Sequence, residues 1–148
     1  MHLNVYLAGE IHTDWRAEIE IACAGLDITF TAPVTNHENS DDCGVVILGA
    51  EADKFWHDRK GAAMNAIRTR KAIGDADIVV VRFGDKYKQW NAAFDSGQAY
   101  ALGKSLIVQQ PPEHDHALKE VDAAALAVCR TPTQVAQTLR YVMTGALP

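Results

Sequence analysis

The apolar residues of this chain alternate between short runs typical of buried strands and longer runs with helical spacing. Strand-like runs cover residues 3–8, 28–32, 77–83 and 105–109. Helix-like stretches lie at about 14–25 and 58–73, around Asp95, and at about 115–127 and 133–143. Strands that alternate with helices are typical of a parallel sheet with crossover helices. The sequence therefore predicts an α/β fold, a flavodoxin-like or Rossmann-like three-layer sandwich with strand order 2-1-3-4-5.

One segment does not follow this alternation. Residues 33–56 form a long polar connection that contains the short apolar run 45–48. This run is consistent with an extra strand or with a buried turn, and periodicity does not decide between them.

Length and charge limit the classes to which the protein can belong. A chain of 148 residues suits one compact domain better than two, so we expect a single domain over residues 1–148. The net charge of -5 argues against nucleic acid or a membrane as the main partner, because both demand clustered Lys and Arg. Neither a signal-peptide pattern nor a run of membrane-spanning length is present, so a cytoplasmic protein is expected.

The usual cofactor and metal patterns are missing. Cys23, Cys43 and Cys129 are far apart without a Cys-x-x-Cys pair, which predicts neither a disulfide framework nor a zinc ribbon. No glycine-rich dinucleotide or phosphate loop follows the first strand. The run Glu113-His114-Asp115-His116 holds metal-ligand types, but it follows two prolines in a predicted surface loop and lacks further ligands. We therefore expect no cofactor and no metal.

Asp95 is the strongest candidate for a reactive side chain. It lies among small residues, Ala92-Ala93-Phe94-Asp95-Ser96-Gly97, that predict a thin helix leading into the fourth strand. The sequence places Asp95 in the first turn, where the unpaired amides of a helix N-terminus favour an ionised carboxylate. The same pattern is also typical of an ordinary helix with a stabilising first-turn acid.

The predicted strand order brings other polar residues to the same edge of the sheet. Strands one and three would be neighbours, and ligands bind beyond the carboxyl ends of such strands. The loops that follow these strands are residues 9–13 and 84–91. The side chains expected to converge there are Tyr6, Glu10, His12, Asp85, Tyr87, Gln89, Trp90, Asn91 and Asp95.

Three tryptophans lie beside polar turns rather than inside strands. Each of Trp15, Trp56 and Trp90 could anchor a loop on the core or offer a wall on which the ring of a base stacks. Because all three lie near one predicted edge, we expect at least one to be a stacking platform.

At this point the residues resemble a known family. Val5-Tyr6-Leu7-Ala8-Gly9, paired with Ala-Phe-Asp-Ser-Gly-Gln-Ala-Tyr-Ala-Leu-Gly-Lys-Ser-Leu-Ile at residues 93–107, is similar to the nucleoside 2-deoxyribosyltransferases and related N-glycosidases. The start Ala-Gly-Glu-Ile-His-Thr-Asp-Trp-Arg at residues 8–16, together with residues 87–95, resembles the small YtoQ group more closely.

The resemblance implies a reaction, a partner and an assembly. In that family a carboxylate attacks the anomeric carbon of a nucleoside, forms a 2-deoxyribosyl ester and passes the sugar to another base or to water. The resemblance implies a nucleophile role for Asp95 and a sugar-side hydrogen bond for Tyr6. It also implies a homo-oligomer, because neighbouring subunits complete each site in these enzymes. The ligand would be a small-molecule nucleoside or nucleotide.

The sequence departs from the family pattern at three places. Asp95 stands where the family carries Glu, Gln89 replaces an acid in the turn before the helix, and Thr69-Arg70-Lys71 replaces a segment with an Asp. A shorter nucleophile needs the loop to move inward, and a leaving base normally needs a general acid. Candidates for that acid are Glu10, His57 and Asp58.

Arginines could recognise the charge of the ligand. Arg68 and Arg70 are two residues apart on a predicted helix, so only one can face the crevice, and Arg16 lies beside the first loop. A 5′-phosphate would be held by one of these guanidinium groups, although all three could equally pair with surface acids. The full set of candidate substrate-binding residues is Gly9, Glu10, His12, Trp15, Arg16, Asp58, Arg68, Asp85, Gln89, Trp90 and Asn91.

Two other functions remain open at the level of the sequence. The domain could be a non-catalytic nucleotide binder that kept the crevice and lost its acids. It could also be a flavodoxin-like interaction domain that binds no phosphate.

Overall fold

The computed structural model describes residues 1–86 and 89–148. A five-stranded parallel sheet forms its centre, and the order of the strands is β2-β1-β3-β4-β5. The predicted fold class and strand order are confirmed. The strands are β1 Leu3–Gly9, β2 Ile28–Thr31, β3 Ile78–Arg82, β4 Ser105–Gln109 and β5 Ala127–Cys129.

Helices cover both faces of the sheet. They are α1 Trp15–Ala22, α2 His37–Leu48, α3 Lys54–Asp75, α4 Trp90–Ala101, α5 Lys119–Ala124 and α6 Pro132–Thr144, and a 3-10 turn spans Pro112–His114. Because successive side chains of a strand point to opposite faces, the core divides into two clusters. Val5, Leu7 and Val80 pack with residues of α1 and α6. Tyr6 and Val81 belong to the other cluster, with residues of α3 and α4.

The apolar run 45–48 is neither a strand nor a buried turn. It forms the last turn of α2, where Val46, Ile47 and Leu48 are exposed. The helix begins at Asn36, whose side chain accepts a hydrogen bond from the amide of Asn39 at 2.8 Å. The prediction failed because an apolar run of four residues carries no period of its own, and the capping residue lies nine positions before it.

The fifth strand lies where the sequence predicts the end of a helix. Residues 115–127 contain only the short helix α5, and Ala127–Cys129 pairs with β4 from Ile107 to Gln109. The alanine-rich sequence 123–127 favours a helix locally. Pairing with the edge of β4 overrides that preference over three residues, which is too short a run for alternation to be visible.

The register of the sheet brings the carboxyl ends of β1 and β3 together. Gly9 pairs with Arg82, and the amide of Glu10 donates to the Arg82 carbonyl at 3.1 Å. Gly9 has a φ of 98°, and a Cβ there would lie 2.2 Å from the Arg82 carbonyl oxygen. Only glycine therefore fits at this close approach.

Within the described ranges, none of the helices combines the length and apolar character needed to cross a bilayer.

Candidate active site

The loop after β1 is held by the buried carboxylate of Glu10. This side chain accepts hydrogen bonds from the His12 amide and from the Thr13 hydroxyl, the latter at 2.5 Å. Arg82 Nε lies 3.6 Å from Glu10 Oε2. Burial alone would raise the pKa of Glu10, but these hydrogen bonds and the charge of Arg82 lower the pKa below its ordinary value. Glu10 is therefore an ionised group that fixes the loop.

Trp15 and Arg16, at the start of α1, support the same loop through hydrogen bonds to its backbone. The indole nitrogen of Trp15 donates to the Glu10 carbonyl at 2.8 Å, and the ring is fully buried. Arg16 donates from Nε to the Leu7 carbonyl at 2.8 Å and from its terminal nitrogens to the carbonyls of Glu10 and Gly9 at 2.7 and 3.1 Å. Its guanidinium lies 4.5 Å from the centre of the Trp15 ring, and burial lowers the pKa of Arg16 to about 10.

Two sequence-based assignments are therefore wrong. Trp15 has no exposed face on which a base could stack. It anchors the loop on the core, which was the other role that the sequence allowed. Arg16 has its donors directed at three backbone carbonyls, so it is not placed to receive a phosphate. The sequence could not distinguish these roles because both residues follow a polar turn, and only the fold determines which way their side chains point.

Asp95 lies one turn deeper in its helix than the sequence predicts. The helix α4 begins at Trp90, so Asp95 is in the second turn and no acid occupies the first. Burial raises the pKa of Asp95 to about 6. The expected stabilisation of the anion by the helix N-terminus is thus outweighed, since that effect falls off within the first turn.

Tyr6 lies in the middle of β1, on the face of the sheet that α3 and α4 cover. Its side chain is 1% exposed and belongs to the same layer as α3 and α4. Burial raises the pKa of Tyr6, a hydrogen bond with the Thr69 side chain opposes this change, and the charge of Asp95 adds to it. The charge of Asp95 therefore reaches the phenol. The catalytic roles of Tyr6 and Asp95 stay predictions.

The start of α4 is tied to the turn that follows β3. Gln89 Oε1 accepts a hydrogen bond from the Gly84 amide at 3.1 Å, and the Gln89 carbonyl accepts from the amides of Ala92 and Ala93 at 3.1 and 3.3 Å. The residue that replaces the family's acid therefore has a local structural contact. Asp85, Trp90 and Asn91 are exposed around this turn, and Tyr87 lies outside the described residues.

Arg68, on α3, lies within electrostatic reach of Tyr6. Its charge lowers the pKa of Tyr6, and its side chain is exposed. Within residues 1–86 and 89–148, the Arg68 side chain makes no hydrogen bond or ion pair. Its neighbour Thr69 contacts Tyr6 directly, a role that the sequence did not reveal.

Asp58 and His57 do not belong to this site. Asp58 precedes Thr69 by eleven residues on one helix, a distance of about 16 Å along its axis. It is exposed, Lys54 lies 3.2 Å from it, and that contact lowers the pKa of Asp58. His57 lies 3.3 Å from both Asp58 and Asp42. Trp56, on the same turn, is 54% exposed and packs edge-on against Phe55.

His12 borders a cavity on the other face of the sheet. The cavity has a volume of about 410 Å³ and lies between α1 and the segment after β2, with Thr13, Asp14, Glu20 and Thr35 among its lining residues. The His12 ring is 6.2 Å from that of His37. Neither Tyr6 nor Asp95 is among the residues that line this cavity. Among residues 1–86 and 89–148, no three His, Cys, Asp or Glu side chains are grouped to hold a metal ion.

Three comparisons place the chain among known proteins. Its sequence matches the family described as nucleoside 2-deoxyribosyltransferase YtoQ over residues 6–143. It is 41% identical over 144 residues to the uncharacterized protein YtoQ of Bacillus subtilis (strain 168), a match that covers 96% of this chain and 97% of that protein.

Solved structures share the fold at low sequence identity. A 2-deoxyribosyltransferase from Bacillus psychrosaccharolyticus has a TM-score of 0.58, 20% identity and 90% coverage of each chain. A conserved protein from Enterococcus faecalis V583 has a TM-score of 0.65 and 15% identity, covering 96% of this chain and 99% of that one. The CMP N-glycosidase BcmB of Clostridium botulinum has a TM-score of 0.53 and 15% identity, covering 93% and 98%. With the sequence match along nearly the whole chain, these results show that the protein belongs to the nucleoside 2-deoxyribosyltransferase YtoQ family.

Proposed function

We propose that this protein breaks the N-glycosidic bond of a nucleoside or nucleotide, with Asp95 as the carboxylate that acts on the anomeric carbon. The observation that supports the proposal is the half-buried Asp95, whose charge acts on the buried phenol of Tyr6, in a chain of this family. A pKa of about 6 leaves the Asp95 carboxylate ionised over neutral by about ten to one at pH 7. A partly desolvated anion of this kind is ready to attack.

The reaction has two steps. A carboxylate oxygen of Asp95 forms a bond to C1′ as the C1′–N bond breaks, and the electron pair of that bond leaves with the base. Water or a second base then attacks C1′, and the ester bond breaks to restore the carboxylate. With water, the proton that the attacking water loses passes to the departed base anion, so the products are the free sugar and the neutral base. A carboxylate that only stabilises an oxocarbenium ion would need no ester, and Asp95 could serve in the same position.

Tyr6 would orient the sugar. Burial raises the pKa of its phenol, so the hydroxyl keeps its proton at neutral pH and can donate a hydrogen bond to a sugar oxygen. Thr69, from α3, holds the phenol in place. Tyr6 therefore contributes orientation rather than proton transfer.

The leaving base receives little help from the acids considered above. The pKa values of Glu10 and Asp58 are both lowered, so neither side chain holds a proton to give at neutral pH. General-acid assistance is typically worth 10²–10⁴-fold in rate. This is the observation that favours a second candidate, a nucleotide binder without catalysis.

We further propose that a second copy of the chain covers the outer side of α3 and α4. Trp90 and Phe94 are four residues apart on α4 and are 73% and 65% exposed, and Ile67 on α3 is 73% exposed. Side chains four apart lie on one face of a helix, so the two aromatic rings form a continuous apolar surface next to the Asp95 turn. Patches of this kind mark interaction sites.

The test incubates the protein with a panel of nucleosides and 5′-monophosphates and measures the release of free base by chromatography. We expect the wild type to release base and Asp95→Asn to release none while it stays folded. Glu18→Gln, an exposed acid on α1, is the matched control and should behave as wild type. Asp95→Glu tests whether the shorter side chain is adapted to this site, because a gain in rate would mean that the nucleophile is too far withdrawn.

A thermal-shift panel separates the remaining alternatives. A ligand at 100 times its dissociation constant adds about 2.7 kcal/mol to the free energy of unfolding. Stabilisation by nucleotides without base release would identify a binder. Base release that persists in Asp95→Asn would contradict the proposed mechanism.

A further inference from the structure

Both backbone polar groups of Gly84, its amide and its carbonyl, contact a side chain. Its amide donates to Gln89 Oε1, and its carbonyl oxygen lies 3.1 Å from the Nε2 atom of His114. A Cβ at this glycine would lie 2.6 Å from the Glu10 side chain and 2.9 Å from Gln89 Nε2. Gly84 is therefore confined between Glu10 of the loop after β1 and Gln89 at the start of α4.

One side of this contact leads to Asp95. The Gln89 carbonyl accepts the first hydrogen bonds of α4, from Ala92 and Ala93. A shift of Gly84 would move Gln89, and with it the first turn of the helix. Asp95 lies in the turn that follows.

The other side is anchored in a separate part of the chain. His114 ends the 3-10 turn that begins at Pro112, and its amide donates to the Pro111 carbonyl at 3.1 Å. The His114 carbonyl accepts from the amide of Leu118 at 2.9 Å. Both prolines have a fixed φ, so the imidazole projects from a rigid support. A carbonyl oxygen only accepts, and the proton of this hydrogen bond must therefore sit on Nε2.

We propose that His114 is a positioning residue, whose hydrogen bond to Gly84 sets the place of α4 and so of Asp95 relative to Tyr6. This rests on the proposed function only for its effect on activity. The histidine that the sequence presented as a weak metal ligand thereby gains a different role.

The test compares His114→Ala with His114→Gln, which restores a side-chain donor, and with His116→Ala as the matched control. His116 is exposed two residues away. In His114→Ala we expect hydrogen exchange of the Ala92 and Ala93 amides to accelerate at least about 10-fold, while amides of β4 keep their wild-type rates. The titration midpoint of Asp95, followed by carbon NMR, should fall from about 6 towards the ordinary range as the carboxylate becomes more hydrated. His114→Gln should recover part of both changes.

Activity should change in the same order, with His114→Ala most affected and His114→Gln partly recovered. Misplacement by about 1 Å can cost 10²-fold in rate, so we expect kcat of His114→Ala to fall about 10- to 100-fold with little change in KM. Wild-type exchange and titration in His114→Ala would overturn the proposal. Acceleration of the β4 amides by the same factor would also overturn it, since His114 would then only stabilise the fold. If the wild type releases no base, the proposed function fails, whereas exchange and titration still decide the role of His114.

Discussion

Asp95 is a carboxylate whose charge is unfavourable in the folded state. Burial raises its pKa from 3.8 to about 6, and each unit corresponds to about 1.4 kcal/mol. The sequence predicted the helix that carries Asp95 correctly but assigned the carboxylate the wrong electrostatic environment. Small neighbours and an acid indicate a helix, but they do not show how far along that helix the sheet and α3 cover it.

This environment predicts a pH-dependent stability. The unfolded chain loses the Asp95 proton near pH 4 and the folded chain near pH 6, so the native state is destabilised as the pH rises between these values. Asp95→Asn removes the charge, and we expect it to raise the free energy of unfolding at pH 7 by up to about 3 kcal/mol.

Urea denaturation of both proteins between pH 4 and 8 measures this difference. The advantage of Asp95→Asn should shrink as the pH falls through 6 and vanish near pH 4. An advantage that does not change with pH would mean that the burial of Asp95 carries no charge penalty.

Arg68 is the arginine with which we test whether a phosphate contributes to binding. Its charge acts on Tyr6, whereas the donors of Arg16 are directed at carbonyls. We expect a 5′-monophosphate to bind more tightly than its nucleoside by about 1.5–3 kcal/mol, the range for a hydrogen bond to a charged group.

Calorimetry on one nucleoside and its monophosphate tests this, with Arg68→Gln expected to abolish the difference and Arg70→Gln to leave it unchanged. Equal affinities for both ligands in the wild type would show that the site reads only sugar and base.

At the scale of elements, α2 and α3 pack at a point of glycine contact. A Cβ at Gly44 would lie 2.4 Å from the Gly61 nitrogen, and one at Gly61 would lie 2.6 Å from the Asp41 carbonyl oxygen. Both obstacles are backbone atoms, which cannot rotate away. Asn65 adds a hydrogen bond to the Ser40 carbonyl at 2.8 Å.

We therefore expect Gly44→Ala to destabilise the protein by about 1–3 kcal/mol, the usual cost of overpacking. Gly74→Ala is the matched control, because Gly74 lies in α3 with nothing within 4 Å of its added Cβ. It should gain about 0.5–1 kcal/mol from the higher helix propensity of alanine. Thermal unfolding distinguishes the two, and equal melting temperatures would show that the helices separate to admit the methyl group.

The elements differ in how well the sequence specifies them. The strands β1, β3 and β4 were predicted to within one residue because they are buried on both faces and read as continuous apolar runs. The helix α2 and the strand β5 were missed because tertiary contacts, with α3 and with β4, decide them. The same limit applies to the site, since Thr69 and His114 act through contacts between elements that are distant in sequence.

The whole molecule exposes more surface than a compact monomer should. Its accessible area is 8843 Å², whereas a globular monomer of 16.2 kDa exposes about 7,500 Å². The excess is of the order that each partner loses in a standard protein interface, about 800 Å² or more. The apolar residues of α3 and α4 provide a surface for such a contact.

This surface predicts an assembly that a single charge should break. We expect the wild type to have a mass in light scattering that is a multiple of 16.2 kDa at micromolar concentration. Phe94→Glu should reduce the mass to that of the monomer, because a carboxylate would have to be desolvated at the centre of the contact. Ile21→Glu is the matched control, since Ile21 is 76% exposed on α1, on the other face of the sheet, and its replacement should leave the mass unchanged. A wild-type protein that remains monomeric at every concentration would contradict the proposed second copy. The excess surface would then belong to the monomer, where α2 and α3 pack on each other.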